Sequence, residues 1–262
     1  MSGEYAVHIE NLSVHYGHTP AIMGVCLDVS DGEYLGIIGP NGGGKSTLLK
    51  AILGLIPVSS GNISIYGGNA HKNRSLVGYV PQFALLNRKF PISLFEVVLT
   101  GHLKQGIAPF FRYSSEDKAS VYSMLERVGI ESLANRQISE LSGGEFQKML
   151  IARALAQNAK ILVMDEPTSS LDYGNQIRIL SHIRKLTSEG YTVIQSTHNP
   201  DQTFLFADQV LALSNGQVIK QGKPGDVITE ALIKTLYGVE VQVQSLFGDR
   251  ARVCLPRSVV NQ

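Results

Sequence analysis

The chain has few of the features that mark secreted, cysteine-rich or nucleic-acid-binding proteins. Its 262 residues include only two cysteines, Cys26 and Cys254, which are too far apart to form a CxxC or metal-ligand spacing. Lys plus Arg is 23 and Asp plus Glu is 22, so the net charge of +1 gives no overall attraction to nucleic acid. These shortages favour a protein of a reducing compartment and exclude the strongly basic classes.

Long apolar runs are missing as well. No uncharged apolar stretch approaches the ~20 residues that a helix needs to span a bilayer. Residues 1–5 lack the basic segment and apolar core of a secretory signal. We therefore expect a soluble protein that reaches a membrane only by docking to another protein.

One glycine-rich stretch, Gly39–Thr47, carries the strongest functional signal. It reads GPNGGGKST, after an apolar run at 34–38 that is typical of a buried strand and before a helical pattern at 48–53. Glycines allow several backbone N–H groups to point into one concavity, and the following helix adds the positive end of its dipole. The spacing predicts a phosphate-binding loop, in which Lys45 reaches the β- and γ-phosphates and Ser46 ligates Mg²⁺.

Polar residues close two further apolar runs. Asp165 and Glu166 follow the run at 161–164, and His198 comes shortly after the run at 192–196. Ligands collect at the carboxyl ends of strands in open α/β sheets, so Asp165 is predicted to hold Mg²⁺ through water. Glu166 is the candidate general base, and His198 would contact the γ-phosphate and orient the water. The alternatives are solvated acids at a strand end and a structural histidine.

A second glycine-rich loop, Leu141–Glu145, reads LSGGE and precedes a helical pattern at 145–156. It offers backbone amides and a helix N-terminus to a phosphate, as the first loop does. Two such loops in one chain suggest a nucleotide held between two copies. The alternative is an ordinary helix cap with Ser142 at the N-cap.

The pattern of elements predicts an α/β fold. Alternating apolar residues at 5–16, 21–29 and 62–66 predict antiparallel strands at the N-terminus, and residues 91–157 are mainly helical. Strands then alternate with helices, which predicts a mostly parallel sheet. A helix is expected at Asp226–Leu236, and the alternation of Val239, Val241 and Val243 is compatible with one more edge strand.

In this order the motifs resemble those of the nucleotide-binding subunits of ATP-binding cassette (ABC) transporters, over about residues 5–240. Gly39–Thr47 matches Walker A, Ile161–Glu166 matches Walker B, Leu141–Glu145 the family signature and Ser170–Asp172 the D-loop. By this resemblance Glu166, His198 and Lys45 are catalytic, and Ser46, Gln82 and Asp165 bind the metal. The implied nucleotide-binding residues are Tyr16, Gly39, Asn41, Gly42, Gly43, Gly44, Lys45, Ser46, Thr47, Gln82, Ser142, Gly143 and Gly144.

The sequence departs from the family pattern at three positions. Gly43 stands where Ala or Ser is common, and Lys148 stands where Arg is common after the signature. Glu145 replaces the Gln that ends the signature, and it adds a negative charge near the nucleotide of the partner copy.

The resemblance also implies an organisation and a set of partners. Residues 1–240 would form an ABC ATPase domain, P-loop NTPase in fold, with a helical subdomain at about 91–157 and a C-terminal extension at 241–262. Two copies would pair head to tail around two molecules of ATP and Mg²⁺, each between one P-loop and the partner's signature loop. The dimer would sit on the cytoplasmic face of the membrane against permease subunits, would serve a solute-binding protein indirectly, and would bind no nucleic acid.

Two features bear on the membrane partner and the cargo. The segment after Gln82 is rich in aromatic residues, and by resemblance it forms the groove that receives a permease helix; these residues are Phe83, Phe90, Phe95, Phe110 and Phe111. Residues 90–101 are similar to manganese and zinc importers, whereas 171–176 and 236–241 look more like iron-siderophore and cobalamin importers. The expected cargo is a metal ion or metal chelate, with manganese, zinc or iron foremost.

Two other functions remain open at this stage. One is a non-transport cassette ATPase of DNA repair, translation or cofactor assembly, but such proteins commonly fuse two cassettes or insert long coiled coils, and this chain has neither. The other is an ATP-gated dimerisation module without turnover, which the presence of Glu166 and His198 argues against.

Overall fold

The computed structural model describes residues 5–82, 88–103, 112–248 and 251–257. The strands are β1 (Tyr5–Tyr16), β2 (Thr19–Ser30), β3 (Tyr34–Ile38), β4 (Ser60–Ile65), β5 (Gly68–Asn69), β6 (Val77–Val80), β7 (Ile161–Asp165), β8 (Thr192–Ser196), β9 (Gln209–Ser214), β10 (Gln217–Gly222), β11 (Val241–Leu246) and β12 (Ala251–Pro256). The helices are α1 (Lys45–Ile52), α2 (Leu94–Leu99), α3 (Ser115–Arg127), α4 (Gly143–Leu155), α5 (Tyr173–Ser188), α6 (Pro200–Phe206), α7 (Pro224–Val227) and α8 (Glu230–Tyr237).

The chain divides into two compact units. The first unit comprises Met1–Arg74 and Arg184–Gln262, and the second comprises Ser75–Ile183. In the first unit, β2, β1, β4 and β5 form an antiparallel sheet in that order. The alternating burial along β1 and β2 follows from one face packing inward and the other facing water.

A second sheet in the first unit carries the strand before the P-loop. Strand β3 pairs in parallel with β8 on one side and β9 on the other, and β10 adds antiparallel to β9. All five residues of β3 and of β8 are buried. A continuous apolar run is what a strand covered on both faces requires, so the sequence pattern and the position of β3 agree.

The second unit joins a parallel pair, β6 and β7, to helices α2, α3 and α4. Each of these helices begins with a serine whose hydroxyl accepts from the third helical N–H, while the acid at that third position accepts from the serine N–H. Such capping boxes satisfy two N-terminal amides that the helix itself cannot pair. The pairs are Ser93–Glu96, Ser114–Asp117 and Ser142–Glu145.

The C-terminal segment differs from its sequence expectation in two ways. The helix expected at Asp226–Leu236 is two helices, α7 and α8, because Thr229 is extended and its hydroxyl caps α8 by accepting from the Leu232 N–H. The alternating valines after Gly238 do lead into a strand, β11. That strand pairs with β12 in a separate two-stranded sheet, so it is not an edge of either larger sheet.

Helix α8 and the hairpin of β11 and β12 close a core over the first unit's parallel strands. Ile233 is 3% exposed in a cluster with Ile38, Val210, Ala212 and Val241, among others. This packing explains why a segment with weak sequence signals is ordered.

Shortening Ile233 to valine should lower the free energy of unfolding by about 0.5–1.5 kcal/mol, because a buried methyl group is lost and a small void remains. The matched control is Ile219→Val, since Ile219 is 43% exposed and the same deletion there should cost less than about 0.5 kcal/mol. Urea denaturation of both variants measures the difference, and equal losses would contradict this account of the core.

The fold class predicted from the sequence is confirmed. The sheet around β3 is mostly parallel, the N-terminal sheet is antiparallel, and the segment from α2 to α4 is helical. Among the residues that the structure describes, none of the helices has both the length and the apolar character that a membrane crossing requires.

Candidate functional site

The P-loop lies in the first unit and joins β3 to α1. Gly39, Gly42 and Gly44 adopt φ angles of 152°, 78° and 104°, a region that side chains disfavour. Helix α1 begins directly at Lys45, so the loop ends at a helix N-terminus, as the sequence predicted. Asn41, Gly42 and Ser46 are exposed along it, and Thr47 is half-buried.

Close backbone neighbours explain several of the glycines. A Cβ at Gly39 would overlap the carbonyl oxygen of Leu213, at the end of β9. A Cβ at Gly44 would lie 3.0 Å from the carbonyl oxygen of Ala21, and one at Gly43 would lie 3.0 Å from that of Pro40. The departure at Gly43 therefore fits a loop packed tightly against its own backbone and the neighbouring strand.

Lys45 is buried, and buried lysines are uncommon unless they are paired. Its Nζ donates to the carbonyl oxygens of Gly39 at 2.8 Å and Pro40 at 3.1 Å. These bonds fold the side chain back over the loop and hold its positive charge beside the loop backbone.

His198 lies at the same edge of the first unit's sheet as the start of the P-loop. The Thr197 N–H donates to the Ile37 carbonyl at 2.9 Å and continues the parallel register of β8 with β3. The exposed His198 follows directly, and Asn199 then caps α6 by accepting from the Asp201 N–H. His198 is thus held between a strand end and a capped helix.

Tyr16 is the last residue of β1, and the residue is 51% exposed. The β1–β2 turn places it opposite Thr19. An exposed aromatic ring at a strand end is available to stack on a flat ligand.

In the second unit, Gln82 and the two acids lie at the same end of the β6–β7 pair. The strands run parallel with Val80 opposite Met164. Gln82 lies two residues after Val80, and Glu166 lies two residues after Met164. Asp165 is 7% exposed at the end of β7. Burial raises the pKa of Tyr79 on β6, and the negative charge of Asp165 raises it further.

Glu166 adopts a left-handed backbone conformation with φ of 44°. Its carbonyl oxygen accepts from the Ser169 N–H at 3.2 Å and from the Ser169 hydroxyl at 3.1 Å, which stabilises the turn after β7. Such a conformation is uncommon for a residue with a side chain, and it redirects Glu166 relative to Asp165.

The signature loop begins α4 in the second unit. A Cβ at Gly144 would lie 2.9 Å from Asn175 Oδ1, and one at Gly143 would lie 3.0 Å from a methyl group of Leu171. Both glycines therefore allow the loop to pack closely against the segment that contains Asp172.

A carboxylate fixes that neighbouring segment. Asp172 accepts from the Asn175 N–H at 3.0 Å and from Asn175 Nδ2 at 2.6 Å, and these bonds lower the pKa of Asp172. Asn175 thereby links the segment matched as D-loop to the signature helix. Sequence reasoning missed Asn175, although an acid followed three residues later by an amide is a recognisable capping pattern.

An open cleft of about 350 Å³ adjoins the signature loop within the second unit. Its lining includes Ser142, Gly144, Glu145, Lys148 and Arg178. The cleft therefore presents both signs of charge beside the N-terminus of α4.

Three contacts near these loops were not predicted. Arg88 donates to the carbonyl of Leu141, the first residue of the signature, and its guanidinium lies 5.1 Å from the centre of the Phe146 ring. In the first unit, the Cys254 N–H donates to Asp201 at 3.0 Å and joins the C-terminal hairpin to the helix after His198. No sequence signal indicates such pairings, because the partners are distant from each other along the chain.

The aromatic segment is only partly described. Phe90 is 58% exposed, whereas Phe95 packs against Tyr122 with ring centres 4.9 Å apart. Phe83, Phe110 and Phe111 lie outside the described residues.

The predicted site residues divide between the two units. Those of the first unit are Tyr16, Gly39, Asn41, Gly42, Gly43, Gly44, Lys45, Ser46, Thr47 and His198; those of the second are Gln82, Ser142, Gly143, Gly144, Asp165 and Glu166. Over the part of the chain that the structure describes, no three His, Cys, Asp or Glu side chains cluster to hold a metal.

Comparison with known proteins identifies the family. The ABC transporter family model matches residues 22–169. The chain is 37% identical over 234 residues to the zinc transport system ATP-binding protein TroB of Treponema pallidum, covering 89% of this chain and 87% of that protein. It is 38% identical over 234 residues to the manganese transport system ATP-binding protein MntB of Bacillus subtilis, covering 89% and 93%.

A solved structure agrees with these relatives. It is described as an inward-facing conformation of an ABC transporter of the metal-chelate type, and it superposes with a TM-score of 0.86 at 31% identity, covering 98% of this chain and 99% of that chain. The chain therefore belongs to the ABC transporter family and is one of its ATP-hydrolysing subunits.

Proposed function

We propose that this protein is the ATPase subunit of an importer for a metal ion or metal chelate, with manganese, zinc or iron as the expected cargo. The observation that carries the proposal is 37% and 38% identity, over 89% of the chain, to ATP-binding proteins of zinc and manganese transport systems. Cargo is chosen by other components, so the relatives' names bear on it and the ATPase site does not.

In this proposal the P-loop binds the phosphates of ATP and Tyr16 stacks on the adenine. Backbone N–H groups of the loop and the dipole of α1 meet the negative charge, and the buried Lys45 turns from the carbonyls of Gly39 and Pro40 to the β- and γ-phosphates. The loop residues in this role are Gly39, Asn41, Gly42, Gly43, Gly44, Lys45, Ser46 and Thr47.

The residues assigned to Mg²⁺ suit that ion chemically. The Ser46 hydroxyl, the Gln82 amide oxygen and the Asp165 carboxylate are hard oxygen donors, which Mg²⁺ prefers. Protein sites for Mg²⁺ with nucleotide use one or two carboxylates plus phosphate oxygens, so the absence of a larger acid cluster among the described residues is compatible with it. When bound, Mg²⁺ would neutralise charge on the β- and γ-phosphates.

The proposed reaction is in-line attack of water on the γ-phosphorus. The new P–O bond forms as the bond to the β–γ bridging oxygen breaks, which yields ADP and phosphate, and the Glu166 carboxylate accepts the proton of the water. His198 contacts the γ-phosphate and orients the water, and Lys45 stabilises the charge of the transition state.

The site would be completed by a second copy. Ser142, Gly143 and Gly144 of one copy would meet the nucleotide on the P-loop of the other, in a head-to-tail dimer on the cytoplasmic face of the membrane. Gln82 and the exposed part of the aromatic segment would transmit the movement of dimer closure to the permease subunits. A solute-binding protein would deliver the cargo. Residues 1–240 would act as the ATPase domain, with its helical subdomain at about 91–157, and 241–262 as an extension.

The test is ATP hydrolysis by the full complex of this chain with its permease and solute-binding protein in lipid vesicles. Solute-binding protein loaded with Mn²⁺, Zn²⁺ or a ferric chelate should stimulate turnover and drive metal uptake. Lys45→Ala should reduce both about 100-fold or more, because the transferred phosphate loses the positively charged side chain that stabilises it. The cargo-free binding protein is the control. Turnover stimulated by nucleic acid, with no permease partner, would overturn the transport proposal.

A further inference from the structure

Glu145 accepts a hydrogen bond from the Ser142 hydroxyl, which is the group of the signature loop that would contact a nucleotide. The Ser142 hydroxyl donates to Glu145 Oε2 at 2.7 Å, and the Ser142 N–H donates to the same oxygen at 2.8 Å. Ser142 itself is exposed at the N-cap of α4, and Glu145 is half-buried behind it.

A serine hydroxyl has one proton to donate. The phosphate groups of ATP at neutral pH accept hydrogen bonds and carry negative charge, so they compete with the Glu145 carboxylate for that proton. An incoming phosphate that reaches the Ser142 hydroxyl would also approach a carboxylate held 2.7 Å from it. Two negative groups at such short range repel, more so once water is expelled.

We propose that Glu145 restrains the signature loop: its carboxylate holds the Ser142 hydroxyl, and the nucleotide of the partner copy must displace it before the dimer closes. Glu145 thereby raises the ATP concentration that closure requires and makes the closed state easier to reopen. This inference rests on the proposed nucleotide contact of Ser142–Gly144.

The surroundings offer the displaced carboxylate new partners. Lys148 lies one turn along α4 and lines the same cleft as Glu145 and Arg178. The hydrogen bonds from Ser142 lower the pKa of Glu145, and the positive charges of Arg136 and Lys148 lower it further, so the restraint is anionic at neutral pH. Release would exchange a serine partner for cationic ones.

The test compares ATP titrations of dimer formation, followed by light scattering with size exclusion, for the full chain carrying Glu166→Gln, which should bind ATP without turnover. Adding Glu145→Gln should lower the half-maximal ATP concentration about 3–10-fold, the equivalent of roughly 0.7–1.4 kcal/mol. The glutamine keeps the size of the side chain and removes its charge.

The chain supplies two matched controls. Glu96 closes the same kind of box, accepting from the Ser93 N–H at 2.8 Å and the Ser93 hydroxyl at 2.6 Å on α2, so Glu96→Gln should leave the ATP requirement unchanged. Asp117 shows that an aspartate closes such a box with Ser114, so Glu145→Asp should keep the wild-type requirement. Thermal unfolding of each variant verifies that it is folded.

A double variant tests the route. If Glu145 acts by holding the Ser142 hydroxyl, Glu145→Gln should give a clearly smaller shift in a Ser142→Ala background, where only the repulsion between carboxylate and phosphate is relieved. A shift as large as the one seen with Ser142 present would overturn this route. In chains that keep Ser142, an ATP requirement unchanged by Glu145→Gln would overturn the inference. That result would leave the proposed dimer site intact. Failure of every chain carrying Glu166→Gln to dimerise at saturating ATP would overturn the shared nucleotide site, and this inference with it.

Discussion

Replacing Glu166 with glutamine should reduce ATP turnover by about 10²–10⁴-fold while ATP still binds, because a positioned general base contributes a factor of that size. Glutamine has nearly the same shape as glutamate, but it cannot take the proton of the attacking water. The left-handed backbone at this position, with φ of 44°, is equally unfavourable for both residues, so the turn after β7 should persist.

Phosphate release by the assembled complex measures turnover, and a fluorescent ATP analogue measures binding. Glu126→Gln is the matched control, since Glu126 is exposed on α3 in the same unit and loses the same charge. Its turnover should equal that of the wild type. A wild-type rate of hydrolysis by Glu166→Gln would mean that another residue is the base. Loss of ATP binding would mean that Glu166 contributes to binding ATP as well as to its hydrolysis.

Replacing Gly39 with alanine should destabilise the first unit by about 2–6 kcal/mol and abolish ATP binding. The φ of 152° lies in a region that costs a residue with a side chain about 1–3 kcal/mol. The new methyl group would also overlap the Leu213 carbonyl oxygen, and such overpacking typically costs about 1–3 kcal/mol more. Relief requires β3 and β9 to separate, which would move the P-loop.

Gly24→Ala separates the two contributions. Gly24 has φ of 60° and open space where a Cβ would lie, so only the backbone cost of about 1–2 kcal/mol applies. Chemical denaturation should place Gly39→Ala well below Gly24→Ala in stability. Equal losses would show that the overlap with the Leu213 carbonyl oxygen is relieved without cost.

Much of the fold could be predicted because its signals are local. The apolar run at 34–38 forms β3 with every residue buried, and the helix after the P-loop begins at Lys45. The serine–acid pairs at 93–96 and 114–117 form capping boxes. In each case the residues that determine the structure lie within a few positions of one another.

The expectation for Asp226–Leu236 was wrong for a reason that is also physical. The expectation was a single helix, but Thr229 caps a new helix and its extended backbone interrupts the segment. The side chains of α8 pack against residues of β9 and of the C-terminal hairpin. The contacts with β9 are distant in sequence, so no local pattern announces them.

The sequence by itself determined the kind of chemistry, because a phosphate-binding loop, strand-end acids and a second glycine-rich loop are short patterns with local causes. Only the tertiary structure decided which neighbours the glycines must clear. Leu213 closes on Gly39, and Asn175 closes on Gly144. Both contacts join residues far apart along the chain, so no local pattern encodes them.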